Sequence, residues 1–148
     1  MEAAALMPLL LALVLGVFEF SWLLDQQHLI STGLHDATRY LARTANPNDL
    51  MIQRDAKTLA TTGAIDGNAA RVRGWTTGDI KITFANTDNP VDAKGVTRYR
   101  GGPVIQSVTL TTTFTVPSLG FFGFLGLRPP AFTVAHQERV VGPGQITR

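Results

Sequence analysis

The chain has 148 residues, of which 45% are hydrophobic and 16% charged, and its formal net charge is +2. This length is enough for one compact domain beside an N-terminal apolar segment. The basic residues are too few and too scattered for the clustered positive stripe of nucleic-acid-binding proteins, so we expect no nucleic-acid partner. The chain has no cysteine, which excludes disulfides, thiolate metal sites and a cysteine nucleophile.

The N-terminus is a nearly continuous apolar segment. Residues 3–18 contain no charged or strongly polar side chain, and only Glu19 and Ser21 interrupt the run that follows. As a helix with a rise of about 1.5 Å per residue, residues 3–24 would be about 33 Å long, which matches a hydrocarbon core of about 30 Å. The sequence therefore predicts a transmembrane helix over residues 1–24.

A secretory signal peptide is the competing interpretation of this segment. The apolar region of a signal peptide is normally about 7–15 residues long, follows basic residues and ends at a small-residue cleavage site. Here the apolar run is longer, no Lys or Arg precedes it, and residues 21–24 read Ser-Trp-Leu-Leu. The membrane span is therefore the favoured interpretation.

The helical pattern continues beyond the span without a break. Apolar residues at spacings of three, four and seven form one stripe, made of Leu23, Ile30, Leu34, Ala37 and Leu41. Gly33 and Ala37 are four residues apart, a spacing that permits the close approach of another helix. Turn formers from Asn46 onward should end the helix near Thr44. The sequence predicts an amphipathic continuation of the helix over residues 25–45.

Residues 46–148 have the pattern of a small α+β domain. Asn48 or Asp49 can cap a short helix over residues 50–61, with Gly63 as its stop. Alternating apolar residues predict three strands, at residues 79–84, 104–116 and 132–141. The polar residues 86–102 between the first two strands predict a loop. Strands joined in succession favour an antiparallel sheet, which the upper half of the long helix would cover.

The connection between the last two strands is unusually apolar. Its large side chains are Phe121, Phe122, Phe124, Leu125 and Leu127. We interpret these residues as a contact surface for a protein partner or for the membrane surface. The alternative is a loop that folds back on the sheet and forms a small satellite core.

Motifs for catalysis, cofactors or metals are not recognisable. The sequence has no nucleophile elbow, phosphate-binding loop or dinucleotide fingerprint, so we expect neither an enzyme nor a cofactor. His28 and His35 share a helix face, but seven residues separate them by about 10 Å, and His136 is remote in sequence. The oxygen-rich residues 86–92 lack the spacing and terminal Glu of a calcium loop. We therefore predict no metal site.

Two carboxylates stand in or beside the apolar segment. A carboxylate in a membrane helix costs free energy unless it reaches the headgroups or finds a partner. Glu2 could remain hydrated at the N-terminal end of the helix or neutralise a cation on a neighbouring chain. Glu19 could extend outward toward the headgroups or pair with a neighbour in the same way. Pro8 and Gly16 weaken the helix, which membranes tolerate when neighbouring groups compensate.

In combination these residues resemble a known family. The chain reads Glu2-Ala-Ala-Ala-Leu-Met-Pro8, then Gly16-Val-Phe-Glu19-Phe20, then Asp36-Ala-Thr-Arg39-Tyr40. This order resembles the TadE-like family, the minor pilins or pseudopilins of tight-adherence (Tad/Flp-type) pilus systems. The resemblance covers residues 1–43, and Thr38 stands where the family usually has Ala.

The resemblance implies a non-enzymatic minor pilin or pilus-assembly component with a pilin-like fold. It would be a single-pass protein of the bacterial inner membrane, with its C-terminal domain in the periplasm or carried into an extracellular pilus. Its partners would be other pilin and minor pilin subunits, inner-membrane assembly proteins and the lipid bilayer. The candidates for helix bundling are Glu2, Pro8, Glu19, Gly33, Ala37, Arg39 and Tyr40. The alternative function is a membrane-tethered periplasmic binding or sensing domain with a passive anchor.

Overall fold

A computed structural model describes residues 2–141 of the chain, and side chains from residue 6 onward. The helices are α1 (Glu2–Arg43), α2 (Leu50–Thr62) and the short α3 (Phe121–Phe124), and the strands are β1 (Ile80–Asp88), β2 (Val104–Thr115) and β3 (Ala131–Arg139). The predicted α+β fold is confirmed: a long apolar N-terminal helix, a second helix and an antiparallel sheet.

Helix α1 is continuous over 42 residues, about 63 Å at the standard rise. Its lower half is exposed on nearly all sides, and Glu19 is the one buried residue among residues 6–22. Its upper half buries the whole predicted stripe, from Leu23 at 3% exposure to Leu41 at 0%. The same helix is therefore mostly exposed along its apolar half and covered along its amphipathic half.

Helix α2 begins and ends at the predicted caps. The Asp49 carboxylate accepts a hydrogen bond from the Met51 N–H at 2.8 Å, and Gly63 adopts the left-handed conformation with φ 90°. The helix packs against α1 at Gly33, where a Cβ atom would collide with the Ala60 carbonyl oxygen. Only glycine allows this approach.

The sheet is an antiparallel meander in the order β1–β2–β3. Strand β1 is longer than predicted, because Asn86 and Asp88 pair with Gln106 and Val104 through the backbone ladder. The predicted loop at residues 86–102 is therefore wrong for its first three residues. Strand β3 ends two residues before the prediction, since the Val141 N–H leaves the sheet and donates to the Ala42 carbonyl of α1 at 2.7 Å.

Trp75 lies in the core, at 1% exposure, although it belongs to no helix or strand. Its Nε1–H donates to the Thr112 hydroxyl at 3.1 Å, and that hydroxyl donates to the Asp79 carbonyl at 2.9 Å. The buried hydroxyl on the apolar face of β2 is thus fully paired, as buried polar groups require. This chain of hydrogen bonds ties the segment after α2 to the sheet.

The loop between β1 and β2 is organised by a buried amide. The Asn89 side chain donates to the carbonyls of Tyr99 and Gly102 at 2.8 and 3.0 Å, and it accepts from the Tyr99 N–H at 2.9 Å. Asp92 Oδ1 accepts from the N–H groups of Lys94 and Val96. These oxygens serve as turn acceptors within the loop.

Candidate functional site

The apolar connection between β2 and β3 extends along the lower half of α1. Successive residues of the connection contact successively earlier turns of the helix: Trp22 Nε1–H donates to the Pro117 carbonyl at 3.3 Å, and the Leu119 N–H donates to Glu19 at 2.8 Å. Phe121 then lies against Gly16. The connection thus packs on the apolar helix rather than on the sheet.

Glu19 holds this connection in place. Its side chain is 1% exposed, and its Oε1 accepts the hydrogen bond of the Leu119 backbone N–H. A backbone N–H that faces apolar side chains and lacks an acceptor is costly. The buried carboxylate therefore has a partner within its own chain, which neither of the sequence-based interpretations of Glu19 included.

Gly16 gives Phe121 the room to lie on the helix. A Cβ atom at Gly16 would be 3.5 Å from Cε1 of Phe121, which is ordinary van der Waals contact, so the ring packs directly on the helix at this position. The spacing of Gly16 and Glu19 places both on the helix face that receives the connection. The Gly-x-x-Glu segment of the sequence is therefore a docking site for the β2–β3 connection.

A groove of about 470 Å³ lies between this connection and α1. It is lined by Pro8, Leu11, Ala12, Leu15, Phe18, Glu19, Leu119, Gly120, Phe121 and Phe124. The lining is apolar apart from Glu19, whose Oε1 already accepts a hydrogen bond. The groove can therefore receive an apolar group such as an acyl chain or a side chain of another helix.

The outer face of the connection is exposed and apolar. Phe124 is 84% exposed, Leu119 61%, Leu127 54% and Leu125 49%, whereas Phe121 and Phe122 are half-buried. Phe124 and Leu119 also line the groove beside α1. This part of the connection therefore adjoins the apolar surface of the lower half of the helix.

The other candidates from the sequence lie in different places. Pro8 is exposed and lines the groove, and the side chain of Glu2 lies outside the described part of the structure. Gly33 and Ala37 are buried in the core, with Gly33 against α2 of the same chain. Arg39 is exposed on α1, and Tyr40 packs partly buried against the core.

The motif around Arg39 contains an ion pair that the sequence did not indicate. Arg71 Nη2 lies 3.1 Å from Asp36 Oδ2 and joins α1 to the segment after α2. Thr38, which stands where the TadE-like family usually has Ala, is buried and donates its hydroxyl hydrogen bond to the Leu34 carbonyl at 2.6 Å. A hydroxyl can be buried at this position because the Leu34 carbonyl of the same helix accepts its hydrogen bond.

In the described part of the chain, one helix is long and apolar enough to cross a membrane, namely Leu6–Arg43. Together with the α+β domain above it, this defines a class of protein with an N-terminal helix that can act as a membrane anchor. Residues 1–39 match the family model described as TadE-like protein. The match confirms the resemblance seen in the sequence.

The match associates the chain with Tad pilus systems and with pilus-related protein partners. It lies entirely within α1, so the α+β domain is outside the matched residues. Neither a curated protein nor a solved structure matches the chain significantly.

Proposed function

We propose that this protein is a non-enzymatic minor pilin or assembly component of a Tad/Flp-type pilus. The N-terminal segment, residues 1–24, would hold it in the bacterial inner membrane, and residues 46–148 would form its periplasmic domain. The observation that carries this proposal is the lower half of α1, which matches the TadE-like family and is apolar and mostly exposed in the isolated chain. So large an exposed apolar surface requires lipid or other helices around it.

In this proposal the lower half of α1 bundles with the helices of other subunits. The outer surface offers large side chains on several sides, including Leu9 at 66% exposure and Leu13 at 62%. Pro8 and the groove beside it interrupt the otherwise smooth helix surface and can orient a neighbouring helix. Glu2 remains the candidate that neutralises a cation of a neighbouring chain.

The apolar connection would lie at the membrane surface. Glu19 is five residues before the end of the predicted span, which is about 7.5 Å along the helix axis. The connection bonded to Glu19 would then enter the headgroup region and the upper acyl chains, the depth at which interfacial apolar segments bind. Phe124 and its exposed neighbours would contact lipid there or a neighbouring helix in the assembled complex.

Replacing the span tests whether it is an assembly element. In a pilus-forming host that lacks its own copy, residues 3–15 are replaced by an unrelated apolar helix of equal length, with Gly16 and Glu19 retained. We expect the protein to remain in the membrane fraction at normal abundance while surface pili decrease about tenfold or more. Normal piliation would support the other candidate, a tethered binding or sensing domain whose anchor is passive.

Single substitutions at Glu2 test the charge partner separately. Glu2→Gln and Glu2→Ala should both insert normally and reduce piliation, because each removes the negative charge from the lip of the helix. The matched control is Asp25→Asn, which removes an exposed carboxylate at the other end of the span. Wild-type piliation in both Glu2 variants would contradict the charge-partner role.

A further inference from the structure

Two histidines and a glutamate meet where α1 crosses the edge strand β3. His35 comes from α1, and His136 and Glu138 come from β3. The two β3 residues are two positions apart and therefore point to the same face of the sheet. One potential ligand atom from each of the three side chains lies within 4.8 Å of the other two.

The imidazole of His136 lacks a hydrogen-bond partner for one nitrogen. Its Nε2 is inaccessible to solvent and unpaired in the described part of the structure. The Glu138 carboxylate is 3.9 Å away, which is too long for a hydrogen bond. A buried polar atom without a partner requires an explanation, and a role as a metal ligand is one such explanation.

The second imidazole lies beside the first. The ring centroids of His35 and His136 are 4.7 Å apart, with an interplanar angle of 64°. The Asp36 carboxylate lies 3.9 Å from Nδ1 of His35 and is itself paired with Arg71. This distance is also too long for a hydrogen bond, and the Asp36 carboxylate is held by Arg71 instead.

We propose that His35, His136 and Glu138 bind a zinc ion that joins α1 to β3. Two imidazole nitrogens and one carboxylate oxygen are a ligand set that Zn²⁺ accepts, with water in the fourth tetrahedral position. Bonds of about 2.0–2.2 Å to a tetrahedral ion place the ligand atoms about 3.4 Å apart, so the widest pair has to approach by about 1.4 Å. The side chains are 48%, 34% and 29% exposed, which leaves them room to rotate.

Occupancy of this site would couple the anchor helix to the sheet. Among residues 2–141, strand β3 pairs with β2 alone, so a zinc ion would attach this edge of the sheet to α1. The ion would bind the folded chain and not the unfolded one, and it would therefore raise the stability of the domain. The site depends neither on the pilus association nor on the membrane.

Zinc binding to the full chain in detergent micelles tests the proposal. The protein is purified without a polyhistidine tag, stripped with a chelator and titrated with ZnCl₂ by calorimetry. We expect one ion per chain, and a rise of several degrees in the Tm measured by circular dichroism. Co²⁺ in place of Zn²⁺ should give the visible absorption of a tetrahedral nitrogen and oxygen site.

Three variants and one control locate the ion. His35→Ala, His136→Ala and Glu138→Gln should each weaken Zn²⁺ affinity about tenfold or more, in line with the cost of losing a ligand or its support. His28→Ala removes an exposed histidine of the same helix and should leave binding unchanged. Because His35 is half exposed, His35→Ala tests the site even if His136→Ala fails to fold. Absence of saturable binding, or equal loss in His28→Ala, would overturn the proposal.

Discussion

Removing the carboxylate of Glu19 should release the β2–β3 connection from α1. In the wild type, Oε1 of Glu19 accepts the Leu119 N–H at 2.8 Å, and the side chain is 1% exposed. Glu19→Ala leaves that N–H without an acceptor inside an apolar groove. Glu19→Gln keeps a carbonyl oxygen at the same place and removes only the acidic group. We therefore expect the connection to detach in Glu19→Ala and to stay docked in Glu19→Gln.

The size of the effect follows from the group that is left unpaired. A buried donor that loses its acceptor costs about 1–3 kcal/mol in a protein interior. A middle value of about 2 kcal/mol corresponds to about a 30-fold shift in the docking equilibrium, since each 1.4 kcal/mol is about tenfold. In lipid the cost of the unpaired N–H rises to several kcal/mol. The effect of Glu19→Ala on the docking equilibrium should therefore be larger in lipid nanodiscs than in detergent micelles, where water reaches the connection more easily.

Hydrogen–deuterium exchange of the full chain measures this equilibrium directly. Peptides that cover residues 117–127 should exchange about 30-fold faster in Glu19→Ala than in the wild type, because exchange reports local opening. Peptides from β2 and β3 should be unchanged, which distinguishes release of the connection from general unfolding. Asp25→Ala removes an exposed carboxylate of the same helix and is the matched control. Equal exchange in wild type and Glu19→Ala, or equal acceleration in Glu19→Gln, would refute the docking role.

Two further substitutions test the packing of the domain. Gly33→Ala should lower the free energy of unfolding by about 1–3 kcal/mol, the usual cost of overpacking, because its Cβ would collide with the carbonyl of the adjacent helix; Gly123→Ala, with no atom near its Cβ position, is the control in the same chemical denaturation assay. Asn89→Ala should lower the free energy of unfolding by about 2 kcal/mol or more, because three hydrogen bonds of a buried amide are lost together. Its control is Asn86→Ala, at an exposed strand position, which should change the denaturation midpoint little. Equal midpoints within either pair would contradict the corresponding contact.

The docked connection gives the apolar N-terminal helix a structural role within the fold. Gly16 leaves space for Phe121, and Glu19 supplies the acceptor that an irregular backbone needs beside apolar side chains. Both residues belong to the segment that matches the TadE-like family. The lower half of α1 thus presents one surface to its own domain and leaves most of the remainder exposed.

Local patterns in the sequence determine most of the secondary structure. The stripe from Leu23 to Leu41 predicts the covered half of α1, because burial on one face of a helix imposes a period of 3.6 residues. The sequence offers Asn48 or Asp49 and Gly63 as the caps of α2, because capping is a short-range interaction between a side chain or a φ angle and the adjacent backbone. The structure selects Asp49. The residues that determine each of these features lie within one or a few helical turns of one another in the sequence.

Other features have no local signal and are decided by the tertiary structure. Strand β1 continues through polar residues because backbone groups of β2 pair with it, and backbone pairing leaves no trace in side-chain hydropathy. Trp75 is buried because Thr112 and the surrounding core meet it from distant parts of the chain. A periodicity test cannot detect such contacts, since they link segments whose separation in sequence is arbitrary.

The chemistry of the molecule divides in the same way. Apolar length alone predicts the anchor, and the order of Glu2, Pro8 and Glu19 indicates the family. The partner of Glu19 is a backbone N–H, which every residue except proline carries, so no sequence motif marks it. His35 and His136 are paired only by the crossing of α1 over β3. What the sequence determines is therefore which groups are present, and the tertiary structure decides which of them meet.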